Sequence, residues 1–227
     1  MLYITGDTHN VIDFQKLSFK NWPQSRNLTH HDYLIVAGDF GVPWDNSSTD
    51  RKLLDWYDNR PYTVLFVDGN HENFDLLEQY PVIDKFGGKV SKVSSNVYWL
   101  HRGEVYLLGD KKVFTFGGAN STDKALRTPH LSWWEQEMPS RDEMEHGIER
   151  LSDFFDSVDI VVTHECPESI AHNICYYYEP DSLRKYFDVL KEKITFSNWY
   201  FGHHHIDRSF EGGKFRALYS DIVEIPC

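Results

Sequence analysis

Cysteine is scarce. Cys166, Cys175 and Cys227 are three in 227 residues, too few and too irregularly spaced for a disulfide framework or a CxxC zinc site. That scarcity fits a reducing, cytoplasmic setting. No stretch approaches the roughly 18 consecutive apolar residues of a membrane span. The opening MLYITGDTHN has neither a basic lead nor an apolar core before a small-residue cleavage site, so a signal peptide is not expected. Positive charge is also short, since 23 Lys and Arg against 35 Asp and Glu leave a net charge of −12. A broad electrostatic grip on extended duplex nucleic acid or on an anionic membrane is thereby disfavoured. Internal repeats, low-complexity tracts and Pro/Gly/Ser-rich linkers are absent, and one domain over 1–227 is the simplest division.

What the chain does have is an ordinary globular composition, 41% hydrophobic and 26% charged, over a length that can bury a sizeable core. Its excess is in histidine: there are 12, three of them consecutive at His203, His204 and His205. Of the others, His30, His31, His130, His146 and His172 have no neighbours that suggest chemistry and are expected at the surface.

The first third alternates short apolar runs with amphipathic stretches. Leu2–Thr5 ends in Gly6-Asp7, Tyr33–Ala37 in Gly38-Asp39, and Thr63–Val67 leads into Asp68-Gly69-Asn70. A helix is predicted from about Ser48 to Asn59, stopped by Pro61. This is the pattern of parallel strands with crossover connections, and polar groups at the carboxyl ends of such strands mark the rim where ligands bind. From Lys89 to Ala119, β-branched and aromatic residues broken by turn residues predict antiparallel strands and hairpins. Helices are expected over LSWWEQEM (131–138), from Ser140 with a capping box to Glu143, and over Ser182–Lys193. Asp159–Thr163 and Trp199–Phe201 read as strands, and Phe210–Ile225 as a hairpin turning at Gly212-Gly213. The class is α/β, with two mixed sheets stacked between helices.

Five places present metal-capable groups after an apolar run: Asp7-Thr8-His9, Gly38-Asp39, Gly69-Asn70-His71-Glu72, Thr163-His164 and Gly202 with the three histidines. In extended backbone, residues two apart share a side, which pairs Asp7 with His9 and His203 with His205 and sends His204 elsewhere. The donors are then Asp7, His9, Asp39, Asn70, His164, His203 and His205. A single tetrahedral zinc uses about four ligands. Two ions about 3.5–4 Å apart, sharing a carboxylate, would use them all. Imidazole mixed with carboxylate suits Mn, Fe, Zn, Co or Ni rather than calcium or magnesium alone.

The order DTH, GDF, GNHE, TH and GHHH, spread over residues 7–205, resembles the five-block pattern of the calcineurin-like metallophosphoesterases. The resemblance implies a four-layer αββα sandwich. It also implies two divalent ions, manganese favoured, with Asp7, His9 and His205 on one, Asn70, His164 and His203 on the other, and Asp39 bridging. His71 would protonate the departing oxygen or steady the phosphate. A hydroxide between the ions would attack phosphorus in line, with no covalent phosphoenzyme. One departure is Val42, where the family often carries Asp or Asn to pair with the histidine at His71; Asp45, Asp68 or Glu72 are the replacements to look for.

The polar, glycine-rich segment Gly117–Arg127 is a surface loop or a substrate loop over the metals, with Arg127, Lys124 or His101-Arg102 meeting a phosphate oxygen. Trp133-Trp134 and Tyr176–Tyr178 are expected to pack in the core or at its rim, and Cys166 to be a buried structural thiol. The expected function is a metal-dependent phosphoesterase acting on a small or flexible phosphate mono- or diester. The alternatives are a non-catalytic scaffold that binds proteins, a nucleic-acid-directed phosphodiesterase or nuclease, and a mononuclear zinc hydrolase. No protein partner is legible.

Overall fold

A computed structural model describes residues 1–175 and 181–225. Tyr176–Tyr178 and Cys227 lie outside the described residues. In chain order the elements are β1 Leu2–Thr5, β2 Tyr33–Ala37, α1 Ser48–Asp58, β3 Thr63–Val67, α2 Phe74–Leu77, β4 Val82–Lys85, β5 Gly88–Lys92, β6 Val97–Leu100, β7 Glu104–Leu108 and β8 Lys111–Phe116. They continue with α3 Arg141–Ser152, β9 Ile160–Thr163, α4 Glu168–Ile174, α5 Ser182–Lys193, β10 Asn198–Phe201, β11 Arg208–Phe210, β12 Phe215–Ala217 and β13 Ile222–Ile225. The strands form two mixed sheets, ordered β13-β1-β2-β3-β6-β5-β4 and β11-β12-β10-β9-β8-β7. The middle of each is parallel, β1-β2-β3-β6 in one and β12-β10-β9-β8 in the other, and antiparallel strands finish the edges.

Strand alternation builds the layers. Leu2, Ile4, Ile35, Ala37, Leu65 and Val67 point from the first sheet toward Tyr106, Leu108, Val113, Ile160 and Val162 of the second, and this interface is the central core. The residues between them, Tyr3, Leu34, Val36, Val64 and Phe66, face outward and are covered by Leu53 and Tyr57 of α1. On the far side, Phe114, Phe116, Val161 and Trp199 are covered by Leu183, Phe187 and Leu190 of α5. Two strands buried on both faces explain why β2 and β3 read as continuous apolar runs. The helices start where their caps dictate. Ser47 accepts the N–H groups of Thr49 and Asp50, and Ser140 forms the expected capping box with Glu143. Among the described residues no helix is long and apolar enough to cross a membrane.

Two expectations about elements, residues 131–138 and 210–225, need correction. Residues 131–138 are not an α-helix: the Thr128 carbonyl gathers the N–H groups of Leu131, Ser132 and Trp133, and only Glu135–Glu137 make a 3-10 turn. The buried Trp134 indole, donating to Asp75 Oδ2 at 2.8 Å, pulls this segment into a loop. The 89–119 run does form antiparallel pairs, β5 with β6 and β7 with β8, and they lie in different sheets because at His101–Gly103 the chain leaves β6 in the first sheet and starts β7 in the second. Likewise the 210–225 hairpin is cut short: β11 pairs with β12, and the chain then crosses back so that β13 pairs antiparallel with β1, Ile225 opposite Leu2.

Candidate metal centre

Parallel strands bring their carboxyl ends to one rim. There β1 delivers Asp7 and His9, β2 delivers Asp39, β3 delivers Asn70 and His71, β9 delivers His164, and β10 delivers His203 and His205. Strand ends from two sheets meet this closely only where side chains are missing. Gly38, at φ +91°, lies where a Cβ would overlap the His164 imidazole, and a Cβ on Gly202 would overlap the Asp7 carboxylate. Sequence reasoning placed His203 and His205 in extended backbone. Instead they sit in a loop with φ of +65° and +50°, and His9 and Asp39 are also left-handed at +42° and +48°. Each such residue costs on the order of 1–3 kcal/mol, a strain that concentrates at functional sites. Turned this way, four of the seven donors face inward.

The donors fall into two groups, Asp7, His9, Asp39 and His205 in one and Asp39, His164 and His203 in the other, with the ligand atoms of each group within 4.8 Å of one another. Asn70 adds its Oδ1, 3.3 Å from His164 Nε2, to the second. Asp39 belongs to both: Oδ2 lies 3.3 Å from His9 Nε2, and Oδ1 lies 3.3 Å from His164 Nε2. Neighbouring acceptors settle which nitrogens point inward. His9 Nδ1 stands 2.7 Å from Asp13 Oδ2, and His164 Nδ1 stands 2.8 Å from the Ala37 carbonyl, so each turns Nε2 to the cluster. His203 Nε2 stands 3.6 Å from Glu165 Oε2, leaving Nδ1 for the cluster.

This set fits divalent cations. Asp7 Oδ2 is buried and accepts no hydrogen bond, an uncommon and costly state for a carboxylate oxygen. Burial pushes the His164 pKa down, yet the Asp39 and Asp7 carboxylates outweigh it and hold it up to about 10. His9 is raised by the same balance, burial opposing and Asp39 prevailing. Protons thus occupy nitrogens where the carboxylates call for positive charge, which is where metal ions would sit.

The model of the calcineurin-like phosphoesterase family matches residues 2–207. The chain belongs to the calcineurin-like phosphoesterase family. It is therefore a metal-dependent phosphoric ester hydrolase. No curated protein matches it. Similar solved structures include the phosphopantetheinyl hydrolase from Mycobacterium tuberculosis, at 18% identity over 96% of this chain and 89% of that one, with a TM-score of 0.47. Another is a protein designated a 5'-nucleotidase from Staphylococcus aureus, at 16% identity over 97% of this chain, with a TM-score of 0.51. This chain covers 49% of the latter, and that likeness is one of fold.

In this calcineurin-like phosphoesterase, His71 sits beside the first group, its ring 5.5 Å from that of His9. Its pKa is lowered by burial first, against the pull of Asp39 and with the help of the Arg127 charge. None of the three carboxylates considered as its partner serves. Asp45 is exposed and accepts from Ser47 N; Asp68 is held by Trp99 and Arg102; Glu72 accepts the N–H groups of Phe40 and Gly41 at 2.7 and 3.0 Å. Val42 is buried in the core. His71 instead meets a cation, with Arg127 Nη2 3.3 Å from its Nε2.

Among the expected substrate residues only Arg127 comes to the cluster, braced by Asp123 at 2.8 Å. Arg102 is withdrawn: its buried guanidinium donates to Asp68 at 2.5 and 2.9 Å, to Glu143 and to the Gln136 carbonyl, which leaves no fork for a phosphate. His101 is tied to Ser91 Oγ at 2.9 Å. Lys124 stands exposed on the 3-10 turn Lys124–Leu126 and, among the described residues, makes no hydrogen bond to the donors. The 117–127 segment nevertheless leans on the centre, because Ser121 Oγ accepts from Asn70 Nδ2 at 3.2 Å and is itself fixed by Glu137.

Sequence reasoning missed Ser121, Asp13 and Glu165 as supports. Only Asp13 left a local signal, four residues after His9. His204 points away as expected, to Glu165 Oε1 at 2.9 Å and Cys166 Sγ at 3.4 Å. Cys166 is the buried thiol anticipated, and the five histidines expected at the surface are exposed.

Proposed function

We propose that the chain hydrolyses a phosphate mono- or diester of a small or flexible substrate at two divalent ions. Asp7, His9 and His205 would hold one, Asn70, His164 and His203 would hold the other, and Asp39 would serve both. The observation that carries this reading is the pair of donor groups sharing Asp39. Manganese is favoured among Mn, Fe, Zn, Ni and Co, since imidazole and carboxylate are mixed. Such ions supply Lewis-acid charge for the phosphoryl oxygens and acidify an attacking water. The chain's own residues do the rest. Arg127 meets phosphoryl oxygens with a planar fork, and His71, between Arg127 and His9 with its Nε2 accepting from Arg127, steadies the phosphate or the departing oxygen. Free thiols at Cys166 and Cys175 support a reducing compartment, the cytoplasm, as its setting.

Protein incubated with Mn and an aryl or bis-aryl phosphate should release the phenol, and chelation or Asp39→Ala should abolish release. Activity unchanged in Asp39→Ala overturns the reading. Under one equivalent of metal after purification without chelator, together with no hydrolysis under any ion, favours a scaffold.

A further inference from the structure

The metal donors form part of the floor of a larger groove. Its volume is about 490 Å³, within the range of small-ligand pockets. His9, His71 and His205 make the floor, and Val11, Ile12, Trp44 and Tyr219 make the walls. We propose that this groove receives the organic group of the ester and selects an uncharged, apolar one, aromatic by preference. The inference rests on the phosphoesterase reading and adds the substrate class to it.

Three observations carry it. The first is the character of the walls. The sole carboxylate of the lining, Asp13, is occupied, with Oδ2 against His9 Nδ1 at 2.7 Å and Oδ1 accepting from Tyr219 at 3.1 Å. No lysine or arginine lines the groove, and the nearby Lys16 spends its ammonium on the carbonyls of Gly6, Asp7 and Tyr219. A second phosphate or a carboxylate on the organic group would therefore lose water here without gaining a cationic partner from the walls.

The second is exposure. Val11 and Ile12 are 51% and 74% exposed although they adjoin a catalytic floor, and an apolar ligand is what removes their surface from water.

The third is rigidity. Asp50 accepts the N–H groups of Trp44, Asp45 and Asn46 at 2.7 to 2.9 Å and also the Asn10 amide at 3.1 Å, tying the two walls together. Asn73 holds the Trp44 carbonyl, and the Tyr219 ring stacks on His205 at 4.8 Å and 22°. Flat rings fixed in advance suit a flat guest, because little side-chain freedom is lost on binding.

The test is calorimetric binding of two non-hydrolysable probes, phenylphosphonate and methylphosphonate, to manganese-loaded protein. Phenylphosphonate should bind at least about tenfold tighter, from the apolar area it buries. Trp44→Ala, and Ile12→Glu on the exposed rim where folding is not at stake, should each cut that ratio to about twofold or less. The kcat/KM for benzyl phosphate should likewise exceed that for ethyl and glycerol phosphates. Equal binding of the two probes, or a ratio that survives both substitutions, overturns the selection while leaving the phosphoesterase reading intact. No probe bound and no ester hydrolysed under any metal overturns both.

Discussion

His164 is enclosed by two carboxylates, and this surrounding sets how the centre responds to pH. Its pKa of about 10 means that the folded, metal-free protein keeps it protonated throughout the neutral range. A metal ion needs that imidazole neutral and must displace the proton. The sign follows: lowering pH below about 10 adds competing protons, so affinity for metal falls, by about tenfold per pH unit for each proton displaced. Calorimetric titration with Mn between about pH 7 and 9, in two buffers of different ionisation heat, should show at least one proton released per protein. Affinity that does not change with pH would contradict His164 as a ligand. A second test concerns Asp13, which orients His9 through Nδ1 at 2.7 Å yet is partly exposed. Asp13→Asn should weaken one of two metal-binding events by about 10–100-fold without unfolding the chain, as read by calorimetry and thermal melting.

At the scale of elements, the loop after β8 is the piece that completes the site, and its two cations make contrasting predictions. Arg127 reaches His71, whereas Lys124 is exposed on the neighbouring turn. If Arg127 takes phosphoryl oxygens, Arg127→Ala should lower kcat/KM by about 10–100-fold, the worth of charged hydrogen bonds, and Lys124→Ala should change it by less than about twofold. A steady-state comparison on one aryl phosphate decides it, and equal losses would remove Arg127 from the site.

The same loop shows the limits of reading sequence. β1, β2, β3 and β10 are legible because a short apolar run ending at Gly beside Asp, Asn or His is a local pattern, β9 because its apolar run ends directly at His164, and the ligand set follows from the order of those patterns. Ser121 and Glu165 are not, since each acts through contacts with residues dozens of positions away, such as Asn70 and His203. The left-handed turns at His9, Asp39, His203 and His205 were equally hidden, because they arise from crowding between two sheets rather than from local propensity. Residues 131–138 carry apolar spacing that a helix and a tucked loop share, and the tertiary pull of Asp75 on Trp134 decides between them.

For the whole molecule, charge and stability meet at the metal centre. A chain of −12 buries Asp7 and Asp39 together where its sheets join, with one Asp7 oxygen accepting no hydrogen bond. Two divalent ions would bring +4 to these two carboxylates, so a net acidic protein would present a cationic patch to a small phosphate while its surface repels long polyanions. The ions would also cross-link strand ends of both sheets, β1 and β2 to β9 and β10, and bind the folded chain alone. Each ion at about 100 times its dissociation constant adds about 2.7 kcal/mol. For a chain of this length, two such ions should raise Tm by roughly 10–20 °C, at 2–4 °C per kcal/mol. Melting followed across a Mn titration and reversed by chelator measures this rise. A two-ion centre gives a Tm that keeps climbing beyond the first equivalent and two equivalents of metal at saturation. A rise that stops after one equivalent means a mononuclear site, with Asp39 serving one ion only.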